Sequence, residues 1–234
     1  MRSVNRIVYP LAACLALALS STQSYAQTVA IPLFNTGVDN SKALLPGGSV
    51  DPHYTVLDGS KNLYTSFNPG GTSAVESQSS LFSGWTANGP ASKWISTNDS
   101  STNPIGTFYF KTTFDLTGLS PSTATISGQW TVDDSSGQGI LLNGVAIPGT
   151  TIGSGAWGSF QSFTIPVGSN FVSGVNTLLF ETDFTDAATN AVRVDNLSGT
   201  AKSLAAANTP EPGSIALFTG FAISGGLFLK RRKK

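Results

Sequence analysis

Two tryptophans sit in loops that offer a large ring little local packing: Trp157 in GSGAWGS and Trp85 in FSGWTANGP. Rings held among glycines and small polar residues can stack on the apolar faces of sugars while polar neighbours meet the hydroxyls. Loop tryptophans also fold back to lid a β-sandwich core, and the sequence leaves both uses open. A second chemistry-bearing set is acidic. Asp133 and Asp134 precede Ser135 and Ser136, and ETDFTDAATN carries Asp183 and Asp186. A hard cation such as Ca2+ takes roughly six to eight oxygen ligands, commonly carboxylates and backbone carbonyls, so these loops are places to look for one. Plain solvated loops share the same composition.

Catalytic constellations are harder to assemble. His53, in DPHY, is the only histidine, and no Gly-x-Ser-x-Gly elbow accompanies it. Its plainer reading is a polar residue at a strand entrance. The glycine-rich fingerprints of nucleotide sites are missing as well. Paired carboxylates cleave glycosides in many enzymes, but nothing singles out one pair among these acids. The expectation is a non-catalytic protein.

Charge is unevenly spread along the chain. Thirteen basic and 13 acidic residues give a formal net charge of zero, yet seven of the basic residues are Arg2, Arg6 and the run at 230–234. From Gln27 to Thr209, six basic residues face 12 acidic ones, for a formal charge of −6. Such a surface is not suited to nucleic acid, which is bound through basic patches. The single cysteine, Cys14, lies in the N-terminal apolar run. A chain cleaved after that run has no thiol chemistry and no disulfide scaffold. About 180 remaining residues suffice for one core without covalent staples.

The elements that must position these side chains read as strands. In TFYFKTTFDL, Phe108, Phe110, Phe114 and Leu116 share one face, and Tyr109, Lys111, Thr113 and Asp115 share the other. In ATISGQWTV, Ala124, Ile126, Trp130 and Val132 alternate with Thr125, Ser127, Gln129 and Thr131. Period-two alternation predicts strands with one buried and one wet face, and places Trp130 in the core. GILLNGVAI, SFTIPV, NTLLFETDF and AVRVDNLSG extend the series, with HYTVL and SKWIST as weaker candidates upstream. Asn143-Gly144 between two apolar runs predicts a two-residue hairpin turn. Short strands without intervening helices predict an all-β sandwich or jelly roll.

The two ends have a different character. Arg2 and Arg6 precede the apolar run IVYPLAACLALALS, and SYAQ places small residues at Ser24 and Ala26. This is the pattern of a signal peptide, residues 1–26, cleaved after Ala26. LAAC also resembles a lipoprotein cleavage box, although the apolar run continues beyond it. At the other end stand Pro210, Glu211 and Pro212, an uncharged apolar segment at 214–229 and five basic residues at 230–234. The segment has 16 residues, against the roughly 20 that usually span a bilayer core. The basic run would stay cytoplasmic, which puts the rest of the chain across the membrane.

That order of three parts resembles the PEP-CTERM sorting signal of Gram-negative bacteria. The resemblance implies processing by an exosortase, an inner-membrane-tethered precursor and a product at the cell surface or in the extracellular matrix. A second resemblance runs through SVDPHYTV, SKWIST, FYFKTTFDLTGL, ISGQWTVDDSSGQGILLNG and FVSGVNTLLFETDF, which is similar in order to galactose-binding-like jelly rolls of bacterial surface proteins. It implies a single jelly-roll domain at 27–202, polysaccharide as partner and a structural calcium in the acidic loops, while AAANTP ahead of the sorting motif reads as a linker at 203–209. Members often carry Asp-Asn before the LNG hairpin, where this chain has Asp133-Asp134. A structural matrix protein with no sugar site is the alternative, and a glycan-active hydrolase a more distant one.

Overall fold

The computed structural model describes residues 26–64, 74–78, 82–99, 102–133 and 136–204. The signal peptide, the Pro210–Glu211–Pro212 motif, the apolar segment, the basic run and Asp134 lie outside these residues. Ala26 is exposed and precedes the first strand. Among the described residues no helix is long and apolar enough to cross a membrane.

The chain from Ala26 to Leu204 forms one compact all-β unit. Its strands are β1 (Thr28–Ala30), β2 (Val50–Asp58), β3 (Ala74–Ser77), β4 (Ile95–Ser96), β5 (Gly106–Asp115) and β6 (Leu119–Asp133). They continue with β7 (Ser136–Leu142), β8 (Val145–Ile147), β9 (Gln161–Ile165), β10 (Val175–Phe184) and β11 (Ala191–Ser203). Two antiparallel sheets face each other as a sandwich. The first runs β8-β7-β10-β5-β2 and the second β4-β11-β6-β9, with β1 also on β11. The short β3 pairs with β2 on one side and β4 on the other, so it links the two sheets along one edge.

The alternation read from the sequence sets the inner faces. Phe108, Phe110 and Phe114 of β5 share the core with Leu178, Phe180 and Phe184 of β10. From the other sheet come Ala124, Ile126, Trp130 and Val132 of β6 and Val192 and Val194 of β11. Trp130 lies 5.6 Å from Phe180, ring centre to ring centre, and its indole N–H donates to the Thr150 carbonyl at 3.2 Å. The Asn143-Gly144 turn joins β7 to β8 with φ of 51° and 83°, the pair of positive values that a type I′ hairpin demands.

The weakly patterned N-terminal third belongs to the same body. Tyr54 and Val56 of β2 enter the core, and the Thr36 hydroxyl accepts the Val194 N–H at 3.0 Å. At the other end Ser203 closes β11, with its N–H donating to the Gln27 carbonyl at 2.7 Å.

The outer faces depart from the expectation that both would be wet. On the first sheet Tyr109 is buried beside Leu57, Leu141 and Leu179. Leu57 and Glu181 are its direct cross-strand neighbours, so the phenol is flanked rather than solvated. On the second sheet Thr131 is fully buried, because a loop folds over it. The Thr131 hydroxyl donates to the Ala156 carbonyl of that loop at 2.7 Å.

Candidate functional site

The segment at 82–94 crosses the outer face of the second sheet and meets the 3-10 turn Ala156–Gly158 there. Thr86 N–H donates to the Trp157 carbonyl at 2.8 Å, tying the two loops together. Both tryptophans singled out in the sequence therefore come to one place, with Trp94 as a third ring. Gly84 makes the approach close: at φ 99°, a Cβ there would lie 3.2 Å from the Trp157 indole nitrogen.

Trp85 differs from the open ring that a sugar platform requires. It is 8% exposed and stacks on Trp94 at 4.3 Å with 28° between planes. Its indole N–H donates to Asp133 Oδ2 at 2.6 Å. The glycines around it let the ring turn inward, and a carboxylate acceptor compensates the buried N–H. Asp133 is thus a partner for an indole. Trp94 is fully buried, with its N–H donated to the Thr86 carbonyl at 2.9 Å.

The surface above this stack is aromatic. Trp157 is half-buried and packs against the Trp85–Trp94 pair. Phe82 is 51% exposed and tilts against Trp85 with ring centres 6.0 Å apart. Ser83, Ser154 and Ser159 are exposed along the same two loops. Below, Arg193 is 2% exposed. Its Nε donates to Ser92 Oγ at 2.8 Å and its Nη1 to the Ala87 carbonyl. Nη2 lies 3.8 Å from Asp195, and the guanidinium sits 5.0 Å from the Phe160 ring centre. Burial pulls its pKa below the ordinary guanidinium value, and the Asp195 carboxylate opposes that shift. The fork geometry lets one side chain fasten loop backbone, serine and sheet together.

The remaining candidates lie elsewhere. Asp183 follows Glu181 along the outer side of the first sheet, and Asp186 is exposed in the loop after β10, where its Oδ1 accepts the Ala188 N–H at 2.8 Å. Asp133 lies on the outer face of the opposite sheet, at the Trp85 indole. Among the described residues no three His, Cys, Asp or Glu side chains gather as metal ligands. His53 stands on β2 with its ring stacked on Phe34, centres 3.5 Å apart and planes 7° apart. A concavity of about 70 Å³ between Leu33, Asn35, Val38, Lys42, Ala91 and Leu197 is well below the roughly 300–1,000 Å³ of ordinary ligand pockets.

Sequence reasoning missed Trp94 and Arg193 as parts of the site. Trp94 stood inside a strand candidate, of which only Ile95–Ser96 is a strand. Arg193 stood on the face expected to be wet.

The chain matches no protein-family model. No curated protein is similar to it in sequence. Among solved structures it is similar to the Stig cyclase Fisc from Fischerella sp. TAU in complex with (3Z)-3-(1-methyl-2-pyrrolidinylidene)-3H-indole, at 15% identity and TM-score 0.40, covering 76% of this chain and 99% of that one. An apo cyclase from Fischerella sp. is similar at 16% identity and TM-score 0.39, over 75% and 97% of the two chains. A further cyclase from Fischerella sp. TAU is similar at 14% identity and TM-score 0.40, over 76% and 98%.

Proposed function

We propose that this is an exported, non-catalytic surface protein that associates with exopolysaccharide through the aromatic patch around Trp157. The sandwich is read as a jelly roll: from β5 to β7, and again from β8 to β11, successive strands pass between the two sheets. The observation that carries the binding reading is the half-buried Trp157 ring beside exposed Phe82, set over a packed Trp85–Trp94 stack. A rigid aromatic platform rimmed by hydroxyls suits the apolar face of a sugar ring. Trp85 serves as the floor of that platform.

Export and sorting rest on the sequence alone. The order Pro210–Glu211–Pro212, apolar segment and basic run supports exosortase handling and an inner-membrane-tethered precursor. The product then belongs to the cell surface or matrix of a Gram-negative bacterium. Replacing Glu211 by Gln, or deleting residues 230–234, should leave precursor in the membrane; normal release of both would overturn this part.

Binding is tested by co-sedimentation of the purified protein with the producing cell's exopolysaccharide. Saturable binding by the wild type, lost in a folded Trp157→Ala variant, is the expected result. Wild-type protein that stays in the supernatant removes the sugar reading and favours a matrix protein that pairs with other proteins. The inward burial of Trp85 is the observation on that second side.

A further inference from the structure

One end of the sandwich gathers the two ends of the compact unit and a set of exposed valines. The strand registers make β5, β7, β9 and β11 finish at this end, and β1, β6, β8 and β10 start there. The tight turn from β5 to β6 joins the two sheets at the rim. Leu116 N–H donates to the Gly174 carbonyl and Leu204 N–H to the Gly118 carbonyl, both at 2.9 Å. Along this rim Val145, Val167, Val172, Val175 and Leu204 are between 46% and 67% exposed.

The polar side chains of the same loops turn inward. Asn176 is fully buried and fills all four of its hydrogen-bonding positions. Its Nδ2 donates to the Val172 and Gly174 carbonyls at 2.8 and 2.9 Å. Its Oδ1 accepts the Val172 N–H at 2.9 Å and Asn143 Nδ2 at 2.8 Å. Asn143 also donates to the Asn170 carbonyl at 2.7 Å and accepts the Thr177 N–H at 2.9 Å. The loop at 170–176 is thereby fastened to the turn between β7 and β8, with Val145, Val172 and Val175 grouped around the two asparagines. Amides inside and valines outside is the reverse of a solvated loop, and an exposed apolar group of this kind marks an interaction surface.

We propose that this rim rests on the lipid surface of a bilayer while the chain is tethered, an inference that depends on reading 214–229 as a membrane span. The ends of the compact unit favour that occupant. Gln27 N–H donates to Ser203 Oγ at 2.9 Å and the Gln27 carbonyl accepts the Ser203 N–H at 2.7 Å, so both ends leave from the rim. Nine residues, 205–213, separate Leu204 from the apolar segment, a reach of at most roughly 30–35 Å. Charge favours it too. The stretches 116–124, 143–147 and 165–175 hold no charged residue, and the exposed Asp115 and Lys202 beside them cancel. A bilayer takes apolar side chains out of water without a shape to match, and a rim free of net charge meets little desolvation cost there.

The arrangement would serve the binding reading. Trp85 is tied to Asp133, the last residue of β6, whereas Leu119, the first, borders the rim. The aromatic patch therefore lies toward the opposite end, clear of lipid. A few valines do not anchor a domain alone, because a single weak apolar contact with a bilayer is reversible. The rim orients the tethered precursor and lets go once the tail is cut.

The test uses the chain from Gln27 to Lys234, which contains the compact unit apart from Ala26 and has no cysteine of its own. A single Val175→Cys carries an environment-sensitive fluorophore, and Ile105→Cys, exposed just before β5 at the far end, is the control. Each is reconstituted into phosphatidylethanolamine–phosphatidylglycerol vesicles and floated. The expected result is a blue-shifted emission at 175 that brominated acyl chains quench, with a water-like, unquenched signal at 105. Adding Val145→Ser and Val172→Ser, which leave Asn143 and Asn176 in place, should reduce the quenching at 175. Chain that floats but keeps a water-like signal at 175 would overturn the rim proposal and leave the tether standing, whereas chain that does not float removes both. A blue shift at 175 that brominated lipid does not quench would also overturn it, since a second copy would then cover the rim. So would undiminished quenching in the serine variant, because the valines would then play no part.

Discussion

The two outer faces of the sandwich began from the same sequence signal and ended differently. On the first sheet Leu57, Tyr109, Leu141 and Leu179 form a small apolar cluster with Lys61 and Glu181 around it. Its side chains come from the sheet strands themselves. The second sheet's outer face carries polar residues, Thr131 and Arg193 among them, and both are buried. Their cover comes from other loops, the segment at 82–94 over Arg193 and the turn at 156–158 over Thr131. Alternation along a strand reports which residues share a face; what lies over that face is set by a loop. The aromatic patch exists because that loop was available to bring three tryptophans together.

The comparison breaks most visibly at Trp94. The ring is fully buried, stacked on Trp85 and hydrogen-bonded to Thr86. Trp94→Ala should cost about 3–5 kcal/mol, the usual range for a buried tryptophan truncation. Urea denaturation gives the number directly. A loss below about 1 kcal/mol would mean that the loop contributes little to stability and only drapes the sheet.

A smaller effect is expected at Asp133. Its carboxylate accepts the buried Trp85 indole N–H, and hydrogen bonds to charged groups contribute about 1.5–3 kcal/mol. Asp133→Ala should lose that amount and also free the Trp85 ring, which would show as a red shift in tryptophan emission. An unchanged spectrum with intact stability would place the indole's support elsewhere in the stack.

Much of the architecture was legible because it depends on short-range patterns. Period-two runs marked β5, β6, β10 and most of β11, and Asn143-Gly144 marked the turn between β7 and β8. The short β1 and β3 were not, since strands of three or four residues carry too few positions to show a period, and SKWIST marked β4 although only Ile95–Ser96 is strand. The site was half legible. Glycine-rich surroundings drew notice to Trp85 and Trp157, but a ring that folds inward and one that remains at the surface have the same neighbours in sequence. Trp94 and Arg193 act through partners such as Thr86 and Ser92 that no local pattern connects to them.

The smallest expected effect belongs to the first sheet and sharpens the contrast. Tyr109 donates its hydroxyl to Glu181 at 3.0 Å, and Lys61 lies 5.2 Å from the ring centre. Burial raises the phenol pKa above its ordinary value, and the Glu181 hydrogen bond and charge raise it further. A raised folded-state pKa gives stability that is complete below the unfolded value of about 10 and is lost as pH climbs through the folded value. Tyr109→Phe keeps the ring under Lys61 and removes only the hydroxyl. It should cost about 0.5–1.5 kcal/mol near neutral pH, and its stability should fall less than the wild type's at alkaline pH. Chemical denaturation of both proteins at neutral and alkaline pH tests the two expectations together. If Tyr109→Phe were as damaging as Trp94→Ala, the strand-borne face would be no less critical than the loop-covered one. The physical distinction between them would then vanish, because a single flanked hydroxyl would be sustaining as much as an entire buried indole.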